Sequence, residues 1–310
     1  MLVLPSRVGS SRTASRPSRG PRSRRTSTAT TDLVVDSIPQ RSRLAVLASW
    51  LRCPVCGDDL SPGDGLALRC PSGHSHDTNK RGWFTALDTS RGISGDPREL
   101  LEARRDLLGT GIYSPIADAI TELLPEEPLD VVDAGTGTGW YLAQLQRSGR
   151  VREALALDAS SAAVAMSVSG TGAAGLVADT WQPLPVRSAR SDLVLCVFAP
   201  RNASEFSRVL RPTGTLVVVT PGTTHLQELR AAGLVMGMQE DKDARLADTL
   251  SGHFLAAGRE EVRYETHVDS DTGRLLADMG PSGHHVPRGG WSGGAVTVDV
   301  TVSSWRPTAP

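Results

Sequence analysis

From residue 129 onward, short apolar runs alternate with segments of helical period. "LDVVDAGTGTG" is an apolar run closing on Asp and glycines, and "YLAQLQRSG" after it is helical. "EALALDAS" reads as a second strand and "SAAVAMSVS" as a helix of small residues. "GLVAD" and "SDLVLCVFAP" are the third and fourth strands, "NASEFSRVL" is a helix capped by Asn202, and "GTLVVVTP" is the fifth strand. Further on, "EVRYETHV" and "AVTVDVTVSS" alternate residue by residue. Strand and helix in turn predict an α/β fold. Its parallel sheet has helices on both faces, and the last two strands are antiparallel.

Upstream the pattern changes. "DPRELLEARRDLLGTGIYSPIADAITELLP" (96–125) reads as two helices split at "GTGIYSP". Asp96 is the expected N-cap of the first, with Pro97 in its first turn and Leu100, Leu101, Leu107 and Leu108 as its apolar stripe. Residues 53–90 hold Cys and His among Gly, Pro, Asp and Ser turns, as a small loop-rich unit does, and "LAVLASWL" (44–51) leads into them. Residues 1–42 are rich in Ser, Arg, Thr and Pro and have too little apolar surface to repay ordering. The expected organisation is a disordered tail over 1–42, a metal-binding module over 43–90, a helical linker over 91–126 and an α/β domain over 127–310.

Composition refines this only slightly. The net charge is −1, so no global charge points to nucleic acid. Residues 1–43 nevertheless carry nine Arg against two acids, Asp32 and Asp36, and Lys occurs only at 80 and 242. Three of the four cysteines fall within eighteen residues, which is no disulfide framework. No apolar run approaches the ~20 residues of a membrane span, and the start lacks a secretory pattern. The expected setting is a reducing cytoplasm.

Two stretches carry chemistry. In "VVDAGTGTGW", Asp133 ends a strand, and Gly135, Gly137 and Gly139 follow in a turn that lets a ligand approach the backbone and the next helix N-terminus. Dinucleotide folds use G-x-G-x-x-G. The D-x-G-x-G-x-G spacing here is instead the form seen in S-adenosylmethionine-dependent methyltransferases. Asp158 closes the second strand, where a carboxylate can accept both ribose hydroxyls. Asp179 closes the third, where such enzymes contact the adenine edge. In the other stretch, Cys53-x2-Cys56 and Cys70-x3-His74 are two knuckles thirteen residues apart, the donor set of a tetrahedral zinc site. His76 competes as fourth ligand, and the C-x3-H spacing favours His74. Four ligands leave no open position, which makes such a metal structural. Cys196, mid-strand, reads as core. Arg69, Lys80, Arg81, Trp83 and Phe84 near the knuckles suit RNA contact, and the two aromatics suit the small unit's core equally.

Taken in order, "CPVCGDDL", "RCPSGHSHDTNKRGW", "VVDAGTGTGWY", "FAPRNASEFSRVLRPTGTLVVVTPGTTHLQEL" and "MGP" resemble the 23S ribosomal RNA guanine-N1 methyltransferase family, which includes tylosin-resistance-like methyltransferases. The resemblance runs from about residue 50 to the C-terminus. It implies a Rossmann-like S-adenosylmethionine-dependent methyltransferase domain preceded by a small zinc-binding module, with zinc on Cys53, Cys56, Cys70 and His74. It implies cofactor contacts from Tyr113, Gly137, Thr138 and His225. It also implies a homodimer, an RNA-binding cleft shaped by the zinc modules, a 23S rRNA hairpin loop as substrate and a link to macrolide resistance. The chain departs from the family pattern in its tail and in "SGHHVPRGGWSGG" after "MGP", where Trp291 is the expected replacement for a missing aromatic ring. Candidates for receiving the guanine N1 proton are Asp179, His225, His284 and His285. The competing readings are a small-molecule methyltransferase of the same fold and a non-catalytic RNA-binding protein.

Overall fold

The computed structural model describes residues 40–87, 95–235, 242–279 and 291–308. In chain order it begins with α1 (Gln40–Trp50), four short strands, β1 (Ser61–Pro62), β2 (Ala67–Arg69), β3 (Ser75–Asn79) and β4 (Trp83–Thr85), and the helices α2 (Arg98–Gly109) and α3 (Ser114–Glu122). The alternating region follows as β5 (Leu129–Ala134), α4 (Trp140–Arg147), β6 (Val151–Asp158), α5 (Ser161–Thr171), β7 (Ala174–Val177), β8 (Ser191–Val197), α6 (Ala203–Val209) and β9 (Leu210–Pro221). The chain closes with α7 (Gln227–Ala231), α8 (Lys242–Leu250), β10 (Phe254–Val268), α9 (Ser270–Asp278) and β11 (Gly294–Pro307).

Among the described residues the strands form one sheet in the order β1-β2-β3-β4-β7-β6-β5-β8-β9-β11-β10. Strands β4, β7, β6, β5, β8 and β9 are mutually parallel. β11 is antiparallel to β9, and β10 to β11, as the alternating pattern predicted. Helices cover both faces, so the central strands are continuous apolar runs: Leu193–Cys196 and Leu216–Val219 have no exposed surface. β5 leads to β6 on one side and β8 on the other. The carboxyl end of β5 is thus a topological switch point, where open α/β sheets bind ligands.

Some local expectations are met and others corrected. Asn202 caps α6 by accepting from the Glu205 N–H. Asp96 does not cap α2: the cap position is Pro97, without a side-chain bond, and Asp96 is ion-paired with Arg104 at 2.7 Å. A carboxylate one residue too early cannot reach the helix donors, and a guanidinium two turns along captures it. Helix α1 starts at Gln40, inside the stretch expected to lack structure. The rest of that stretch, and the module boundary expected at residue 90, lie outside the described residues.

The Cys/His segment is continuous with the main sheet. β4 pairs in parallel with β7 through Phe84 and Leu176. Trp83 and Phe84 are buried, which gives them a core role. Trp50, at the end of α1, and Leu51 after it are completely buried, and Arg190 lies 4.0 Å over the Trp50 ring. The same Arg190 joins Arg152 and Arg211 around buried Asp130. Burial raises that carboxyl, but bonds from Arg152 and Arg211 outweigh it and hold it at about 2. This buried charge is compensated, the condition under which an ion cluster is tolerated in a core. No helix among the described residues is long and apolar enough to cross a membrane.

Candidate active site and metal centre

The loop between β5 and α4 is pinned from below: the N–H groups of Gly135 and Thr136 both donate to the Leu157 carbonyl. Gly135 packs so closely that a Cβ would lie 2.3 Å from the Ala199 Cβ. Asp133 is buried beneath the loop and accepts from the Thr136 hydroxyl at 2.6 Å. Burial pushes its carboxyl up to about 7, and neighbouring Asp158 adds to the rise. Asp158, at the tip of β6, accepts backbone N–H bonds from Gly137 at 3.0 Å and Ser160 at 2.8 Å. Burial still raises it, because two neutral donors do not replace full hydration. Asp179, beyond β7, accepts from the Trp181 N–H at 2.9 Å.

These groups open onto one cavity of about 690 Å³ at the switch point, a volume that suits a small-molecule ligand. Asp133, Gly135, Gly137 and Thr138 line it, as do Asp158 and Asp179. Tyr113, ahead of α3, and His225, between β9 and α7, line it too, although they lie 112 residues apart. The Tyr113 hydroxyl is 3.4 Å from His225 Nε2, and His225 Nδ1 accepts from the Asp299 N–H at 3.2 Å. That bond places the proton of the neutral ring on Nε2. Burial pushes the Tyr113 phenol well up, so it stays protonated.

Of the cofactor contacts expected from the sequence, Gly139 alone is absent from the lining. It holds φ at +75° as the cap of α4, and a Cβ there would fall 2.5 Å from Ser167 Oγ and 2.9 Å from Ser167 Cα. The bare Cα there lets α4 approach α5 closely. Trp291 also lies elsewhere: it packs on Gly273 of α9 and is not among the lining residues. His284 and His285 lie outside the described residues. Sequence reasoning missed Arg104, Tyr141, Trp181 and Phe198, all on the cavity wall. Tyr141 had a signal, since it lies one residue beyond the glycine loop. Phe198 had none: its φ of +53° and 41% exposure are tertiary facts.

The second cluster forms on the opening knuckles. The donor atoms of Cys53, Cys56, Cys70 and His74 all lie within 4.8 Å of one another. Cys56 Sγ is 3.6 Å from Cys70 Sγ, and Cys70 Sγ is 3.3 Å from His74 Nδ1. A tetrahedron with Zn–S bonds near 2.3 Å has edges of about 3.8 Å, so the donor set fits zinc in kind and spacing. Burial raises the Cys53 thiol, but backbone N–H groups of Cys56 and Val55, together with His76, outweigh it and bring it down to about 6. His76 is more than a bystander. Its Nε2 sits 3.2 Å from Cys53 Sγ, and its ring meets Phe84 edge-on at 5.8 Å.

The profile of a methyltransferase domain matches residues 132–218, the segment from β5 into β9. A putative 23S rRNA (guanine-N(1)-)-methyltransferase of Micromonospora griseorubida is 39% identical over 260 residues, 77% of this chain and 88% of that protein. The chain belongs to the 23S rRNA guanine-N1 methyltransferase family. A 23S rRNA (guanine(748)-N(1))-methyltransferase of Streptomyces fradiae is 38% identical, covering 76% of this chain and 86% of its own length. A putative family member of Bacillus subtilis is 32% identical over 59% of this chain and 68% of its own. In this family member the glycine loop, the strand-end acids and the Tyr113–His225 pair surround a single cavity, and the Cys/His knuckles stand apart from it.

Proposed function

We propose that the chain transfers a methyl group from S-adenosylmethionine to N1 of a guanine in a 23S rRNA hairpin loop. The observation that carries this is the similarity to the Micromonospora and Streptomyces methyltransferases across most of their lengths. The cofactor supplies an electrophilic sulfonium methyl. The chain's own residues supply position: Asp158 accepts the ribose hydroxyls, Asp179 the adenine edge, and Gly137 and Thr138 present backbone to the amino-acid half. Tyr113 and His225 close the opposite part of the cofactor's surroundings. With the cofactor bound, transfer of its methyl to N1 would leave S-adenosylhomocysteine, and the N1 proton would pass to solvent water. His225 has both ring nitrogens engaged, which fits a positioning group better than the acceptor of that proton. The target base must leave its stack, which is cheapest in a loop.

In the same reading, Cys53, Cys56, Cys70 and His74 hold a structural zinc ion that shapes an RNA-facing surface beside the exposed Arg69, Lys80 and Arg81. Two copies act as a homodimer in the cytoplasm, and the modification is linked to macrolide resistance or serves a housekeeping role. The test is methyl transfer from labelled cofactor to ribosomal RNA from a strain lacking the gene. The expected result is label in 23S rRNA and a primer-extension stop at one guanine, since N1 methylation blocks pairing. Unlabelled rRNA alongside a labelled small metabolite would replace this reading with a small-molecule methyltransferase.

A further inference from the structure

Tyr141 stands in the first turn of α4, two residues after Gly139, and lines the cavity. Its hydroxyl oxygen is buried and has no hydrogen-bond partner among the described residues. The two neighbouring phenols are satisfied: Tyr113 faces His225 Nε2, and the Tyr264 hydroxyl donates to the Ile112 carbonyl. The Tyr141 ring is fixed edge-on against Trp140, with centroids 4.9 Å apart at 89°. A fixed ring carrying a buried, unpaired hydroxyl bears a desolvation cost that a phenylalanine would avoid. The geometry points to a hydroxyl kept for a ligand.

We propose that the Tyr141 hydroxyl donates a hydrogen bond to a negatively charged oxygen that the ligands bring into the cavity. Two groups of the proposed reaction carry such an oxygen: the carboxylate of the cofactor's amino-acid half, and guanine O6 as charge develops on it during loss of the N1 proton. The hydroxyl is suited to donate, because burial pushes its pKa well above the ordinary tyrosine value and it remains protonated throughout the working range. Tyr141 is separated from the glycine loop by one residue, and both line the same cavity.

The inference rests on the cofactor reading above, and the test separates the two. Wild type and Tyr141→Phe are compared by thermal unfolding without ligand, by calorimetry with S-adenosylhomocysteine and with 5′-methylthioadenosine, and by single-turnover transfer to rRNA. Without ligand, the variant is expected to melt at the same temperature or higher, since it loses only an unpaired polar atom. If the carboxylate is the acceptor, S-adenosylhomocysteine binds about tenfold or more weakly, while 5′-methylthioadenosine, which lacks the carboxylate, is unaffected. If O6 is the acceptor, both affinities stay unchanged and the single-turnover rate falls about tenfold or more. The proposal is overturned if binding and rate both match wild type. It is also overturned if the variant melts several degrees lower, since the hydroxyl would then have a structural partner. Failure of wild type itself to bind S-adenosylhomocysteine would instead remove the cofactor reading.

Discussion

Replacing Gly139 by Ala separates packing from ligand contact within a single loop. At φ +75° a side chain brings backbone strain of about 1–2 kcal/mol. The new Cβ would also stand 2.9 Å from Ser167 Cα on α5, an atom that cannot swing aside, so α4 and α5 must part. Overpacking of that kind costs about 1–3 kcal/mol. The sum is about 2–5 kcal/mol, and for a folded unit of this size it lowers the melting temperature by on the order of 10 °C. Gly137→Ala is the control. Its φ is +51°, but its Cβ would meet only the end of the Arg104 side chain, at 3.5 Å, so strain of about 1–2 kcal/mol is the whole cost. Gly137 lines the cavity, whereas Gly139 does not. Thermal unfolding and S-adenosylhomocysteine calorimetry below both transitions read the two effects apart. Gly139→Ala should melt far lower yet bind within about threefold of wild type, while Gly137→Ala should melt slightly lower and bind about tenfold more weakly. A Gly139→Ala protein melting within 2 °C of wild type, or losing less stability than Gly137→Ala, would refute the packing argument.

Asp158→Asn should weaken S-adenosylhomocysteine about 10- to 100-fold by calorimetry, because a neutral amide replaces a charge-assisted acceptor; unchanged affinity would remove Asp158 from the ribose site. Asp133 keeps its proton up to about 7 when folded but releases it near 3.8 when unfolded. Its contribution is thus intact at low pH and is lost as pH rises toward 7, at up to about 1.4 kcal/mol per pH unit. Urea unfolding of wild type and Asp133→Asn at pH 5 and 7.5 should show wild type losing ground to the variant as pH rises, and parallel profiles would contradict the buried protonated carboxyl. Purified protein should carry about one zinc per chain by elemental analysis, and Cys70→Ser should abolish it. Stoichiometric zinc retained by Cys70→Ser would move the metal elsewhere.

The sequence alone determined the alternating region, because strands buried on both faces must be continuous apolar runs and helices must show a stripe. Leu193–Cys196 and Leu216–Val219 could be read without a structure for that reason. The knuckle spacing likewise determined the Cys53, Cys56, Cys70 and His74 cluster, since ligands on tight turns are brought together by local geometry. Other features depended on contacts between distant parts of the chain. Asp96 looked like a cap until Arg104 took its carboxylate, and the close approach of α5 to Gly139 depends on how two helices pack. The meeting of Tyr113 with His225, the left-handed turn at Phe198 and the unpaired Tyr141 hydroxyl leave no periodic trace, because each depends on which strand ends lie side by side. Local pattern decided what each segment is. The order of strands in the sheet decided which side chains share the cavity, and a one-dimensional pattern does not carry that order.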